Sequence, residues 1–126
     1  MAIWQVVSSD FELASLEGAF EAIRKGTLPP GASGTLLGRV EQPDPLQAFE
    51  AAQKKLGPQV GILVEVLERH GYAEIRYVGC VIKIHDRKRR IVQVRLPAPT
   101  RHYFYDLGTR IPEVGVLNPL PLDSSE

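Results

Sequence analysis

The amino-acid sequence predicts an α+β fold, with two helices packed on a mainly antiparallel sheet and an extended Pro-rich C-terminal arm. Three observations carry this. Two stretches bear helix start and stop signals, apolar residues alternate with period two between residues 60 and 96, and Pro112, Pro119 and Pro121 forbid regular structure near the end. At 126 residues with 44% hydrophobic content the chain fills one core, so the expected division is one compact domain over 1–107 and an arm over 108–126.

The elements follow in order. Ile3, Trp4, Val6 and Val7 make residues 2–7 a short strand. Ser9 with Glu12 three residues on has the form of a capping box. Phe11, Leu16, Phe20 and Ile23 then give an apolar stripe, and Gly26 follows Arg24 and Lys25, which together predict a helix over 10–25. Gly18 inside it costs about 1 kcal/mol relative to Ala and marks a close backbone approach. Residues 27–35, TLPPGASGT, are a loop, and 36–40 a brief strand. Asp44 as N-cap, Pro45 at the first helical position, Gln47 at the third and Gly57-Pro58 as a stop predict a helix over 45–56, with Leu46, Phe49 and Leu56 facing one way.

Residues 59–70 admit two readings. Alternation of Val60, Ile62, Val64 and Val66 favours a strand turning through Arg69, His70 and Gly71, while the same segment has the length of a short helix. Strands over 72–85 and 91–96 follow, with the apolar face changing phase at Gly79, where a bulge or bend is expected. Matching faces pairs Ile84 with Val92, Ile82 with Val94 and Cys80 with Leu96, with Arg87, Lys88 and Arg89 as the loop. An edge strand is expected over 102–107.

Charge is unevenly spread. Residues 72–101 hold eight Lys or Arg against two acids, although the whole chain has a formal charge of zero. The predicted hairpin gathers Lys83, His85, Arg87, Lys88, Arg89, Arg90 and Arg95 on one outer surface, a candidate partner-binding face. The apolar residues of the arm, among them Ile111, Val116 and Leu120, extend that candidate interface, since proline-restricted segments bind with little loss of entropy. Removing the arm is expected to leave a folded core.

Other function classes lack their signatures. The loop GASGT has neither the Lys nor the following helix of a phosphate-binding loop, and no nucleophile elbow, paired carboxylates or dinucleotide fingerprint occurs. Cys80 on an inward face reads as a small buried thiol, and the three histidines lack ligand spacing, so no metal or cofactor is expected. One cysteine precludes an internal disulfide. The absence of a secretory signature and of a long apolar run leads to the expectation of a cytoplasmic protein without membrane insertion.

The expected role is therefore a non-enzymatic accessory or adaptor subunit docking on a larger protein assembly, with a small-molecule substrate disfavoured. If 59–70 is a helix, the order helix 45–56, Gly57 turn, helix 59–70 and hairpin 72–96 resembles a winged helix-turn-helix with a basic wing. That resemblance implies a nucleic-acid-binding module. Its second helix would carry Ile62, Leu63, Val64, Val66 and Leu67 with Glu65 and Glu68, which suits burial better than base reading.

Overall fold

A computed structural model describes residues 1–96, 100–108 and 116–120. Its elements are β1 (Ala2–Ser8), α1 (Ala19–Arg24), β2 (Leu36–Gln42), α2 (Pro45–Leu56), β3 (Val60–His70), β4 (Ala73–Asp86), β5 (Ile91–Leu96), β6 (Arg101–Asp106) and β7 (Val116–Asn118). The sheet runs β2-β1-β3-β4-β5-β6 with every pairing antiparallel, and β7 lies against β3. Because β1 lies between β2 and β3, those two strands point the same way and need a crossover. That crossover is α2, which therefore covers one face of the sheet.

The chain forms α2 over the predicted residues. Asp44 Oδ1 accepts the Gln47 N–H at 2.8 Å, Pro45 occupies the first turn, and Gly57 ends the helix. Leu46, Ala48, Phe49 and Ala52 pack on Trp4, Val6, Ile62, Val64, Val81, Val92 and Val94. Leu56, expected on that face, is exposed instead. The opposite face holds Val7, Leu63, Val78 and Cys80 under Phe11, Leu13, Ala19, Ile23 and Leu120. Both faces of β3 are thus covered, which is why residues 60–64 are buried without interruption. Since residues 60–70 form a strand, the winged helix-turn-helix order is not formed.

The helix expected over 10–25 is shorter. Only Ala19–Arg24 is helical, and Gly18 precedes it with φ 71°, the left-handed region in which a helix cannot continue from the N-terminal side. Ser9, which has the form of a cap, and its neighbour Ser8 serve elsewhere. Ser8 Oγ accepts the Thr35 N–H at 2.8 Å, Ser9 Oγ bonds Gln59 at 3.0 Å, and the Glu12 backbone exchanges hydrogen bonds with Ser33 at 3.1 and 3.0 Å. Backbone groups committed to a neighbouring loop are lost to a helix. The apolar stripe of Phe11, Leu13 and Ile23 instead records which side chains cover the sheet.

Gly79 is a point of close approach rather than a bulge. Its pairing with Val64 leaves the β3–β4 register unbroken, and a Cβ there would lie 2.7 Å from Val94 Cγ1 and 3.0 Å from Val66 Cγ2. The change of phase occurs later, between Val81 and Lys83 and between Ile84 and Asp86. Ile84 pairs with Val92 as expected, but Val94 faces Val81 and Arg95 faces Cys80. The β3–β4 turn is also tighter than expected: His70 pairs with Ala73, so Gly71 and Tyr72 alone form the loop.

The described part of the C-terminal segment belongs to the fold. β1 pairs with β3 at residues 60–62 and β7 pairs with it at 65–67, so the two share one edge of β3. Leu117 and Leu120 are buried, and Gln5 Nε2 donates to the carbonyls of Ile23 (3.0 Å) and Leu120 (3.2 Å). These two bonds satisfy a buried amide that would otherwise be costly. The rest of the predicted arm lies outside the described residues.

Candidate docking surface

The β4–β5 hairpin carries most of the sequence-predicted site, and its bulges divide the cations into two groups. Lys83 faces Gln93, and Gln93 and Arg95 alternate with core-facing Val92 and Val94, so this group lies on the face away from α2. His85 joins it, with its ring centroid 4.4 Å from that of Phe104 on β6. The loop cations turn the other way.

Arg87 meets Glu50 of α2 at 2.6 Å, and Arg90 pairs with Asp44 Oδ2 while Oδ1 caps the helix. Arg90 adopts φ 59°, unusual outside glycine, and its carbonyl accepts the Leu107 N–H at 2.8 Å. Asp86 Oδ1 accepts the Arg89 N–H at 3.0 Å, and the Arg89 guanidinium lies 3.9 Å from the same carboxylate. Three ties thus fasten the loop to α2 and β6, and it stands as a preformed turn. Lys83 and Lys88 are exposed and make no ion pair with the described residues.

The other sequence-predicted residues have separate places. Arg95 is only half-buried on the outer face, and its Nη2 donates to the carbonyls of Phe11 and Ser9, the latter at 2.9 Å. It staples residues 9–11 across the sheet, so its charge is spent inside the fold. Val116 is exposed on β7, Leu120 is buried in the core, and Ile111 lies outside the described residues. Burial withdraws Leu120 from any partner.

Sequence reasoning missed the aromatic residues of β6. Tyr103 and Phe104 are 42% and 54% exposed, whereas Tyr105 is buried and donates to Glu68 Oε2 at 2.9 Å. The Arg101 guanidinium lies over Tyr77 and Tyr103, 6.0 and 5.6 Å from their centroids. Burial first, and then the bond to Glu68, push the Tyr105 hydroxyl up, so it stays a neutral donor. The signal was present as three consecutive aromatic residues, Tyr103, Phe104 and Tyr105, inside the expected edge strand.

For chemistry the surroundings offer little. Burial pushes the Cys80 thiol up to about 12 against an opposing effect of Arg95, which leaves it protonated and a poor nucleophile. Among the described residues no three His, Cys, Asp or Glu side chains form a metal-binding group. A cleft between α2 and β7 is lined by Trp4, Asp44, Arg90, Tyr105, Leu117 and Asn118, but Asp44 and Arg90 neutralise each other there. No helix among the described residues is long and apolar enough to cross a membrane. No known protein family, curated protein or solved structure matches this chain.

Proposed function

We propose that this chain is a non-enzymatic accessory subunit that docks on an acidic surface of a larger protein assembly through the β4–β5 hairpin. One observation carries this reading: the loop is held by Arg87–Glu50, Arg90–Asp44 and the Leu107–Arg90 backbone bond, while Lys83, Lys88 and the Arg89 head face solvent. A turn already fixed loses less entropy on binding, and free cations steer and orient an acidic partner. The test is a pull-down from nuclease-treated native extract at low and moderate salt. Capture by the wild-type chain and its loss with Lys83→Glu/Lys88→Glu is the expected result, and an unchanged set of captured proteins contradicts it.

A second reading has its own support. The exposed Phe104 ring packed on His85 beside Lys83 and Gln93 has the composition of a stacking platform for single-stranded nucleic acid. On that reading affinity for an oligonucleotide falls with salt by a log–log slope of roughly −0.7 per phosphate contact. Absence of binding at about 50 mM salt removes it.

A further inference from the structure

The two ends of the sheet differ in how they are protected. At one end the β1–β2 register shifts between Val6 and Val7, and Gly38, Arg39 and Glu41 interrupt the edge. Such irregularity and charge discourage pairing with another chain. At the other end β6 pairs with β5 through six consecutive residues without a shift, and among the described residues it has no further strand beside it. Its sequence RHYFYD contains no Pro or Gly, and its formal charges, Arg101 and Asp106, stand only at the two ends of the strand. Tyr103 and Phe104, two large rings on a regular edge, are substantially exposed.

That edge is also self-complementary. A two-fold axis normal to the sheet keeps each face on its own side, so residues facing across an antiparallel junction must have the same parity. Centring the axis on Phe104 sets Phe104 against its own copy and His102 against Asp106 of the second copy, on the face away from α2. On the other face Tyr103 lies opposite position 105 of the second copy, whose tyrosine is already buried in its own core, so the Phe104 pair and the His102–Asp106 pair carry the junction. Aromatic pairs and an imidazole N–H opposite a carboxylate are the cross-strand combinations that stabilise a sheet. Centring on Tyr103 loses the His102–Asp106 match and sets Phe104 against His102.

We propose that β6 pairs antiparallel with β6 of a second copy of this chain, in the register centred on Phe104. The junction makes one continuous sheet with Lys83 of both copies on its common face away from α2, and it stands independently of what the hairpins dock on.

Sedimentation equilibrium over a range of concentrations tests the association. The wild-type chain is expected to dimerise, and Phe104→Lys, which opposes two like charges at the axis, to raise the dissociation constant about tenfold or more while melting like the wild type at concentrations where both are monomeric. Cross-linking tests the register. Facing Cβ atoms lie roughly 4.5–5.5 Å apart, and the native Cys80 is buried. Phe104→Cys should therefore form a covalent dimer under mild oxidation, while Tyr103→Cys, facing position 105, should not. A wild-type chain that stays monomeric at all concentrations, or equal cross-linking of the two variants, overturns the proposal.

Discussion

At the scale of single residues, Asp44 does two things with one carboxylate. Oδ1 caps α2 and Oδ2 holds Arg90, so the start of the helix and the tip of the hairpin are tied through one side chain. Asp44→Ala loses the cap and the pair and should cost about 1–2 kcal/mol, whereas Asp44→Asn keeps a capping oxygen and should cost less than half of that in urea unfolding. Gly79 is the second case. Val94 and Val66 are themselves core residues with little room to move, so Gly79→Ala should destabilise by about 1–3 kcal/mol in the same measurement. The sequence marks Gly79 as special but not why. A glycine at a change of apolar phase reads as a bulge, and the close approach that requires it comes from β3 and β5.

At the scale of elements, legibility follows the range of the forces that fix each one. The helix α2 was readable because Asp44, Pro45, Gly57 and Pro58 act within a few residues of it. The strand β3 was legible only in part: its alternating β-branched residues favoured a strand, but the segment also had the length of a short helix. Residues 10–18 were not legible, because Phe11 and Leu13 face the sheet at spacings that also fit a helix, and the deciding bonds come from Ser33, Thr35 and Arg95. The short β7 was illegible for the same reason: three residues pair with a strand some fifty positions earlier. Its place in the fold reverses the expectation for truncation. Deleting residues 109–126 removes buried Leu117 and Leu120, worth about 1.5–3 kcal/mol each, and unpairs part of the β3 edge. Against a total stability of about 5–15 kcal/mol, the truncated chain should unfold at markedly lower urea or aggregate. A truncated chain with wild-type stability would show that β7 is dispensable.

At the scale of the whole molecule, zero net charge conceals a division of labour among the cations. Concentration of Lys and Arg between residues 72 and 101 was plain in the sequence, and so was the sharing of one face by Lys83, His85, Gln93 and Arg95. Hidden from it was the turn of Arg87 and Arg90 toward α2, which depends on the two β4–β5 register shifts and on acids supplied by Asp44 and Glu50. Held cations shape the hairpin and free cations are left to bind. The most direct test compares two charge changes for melting temperature and for capture of protein from nuclease-treated native extract. Lys83→Glu/Lys88→Glu should melt like the wild type and lose capture about tenfold or more, whereas Arg87→Ala/Arg90→Ala should lower the melting temperature. Full capture by the Lys83/Lys88 variant, or an unchanged melting temperature for the Arg87/Arg90 variant, would contradict the division and with it the docking role of the hairpin.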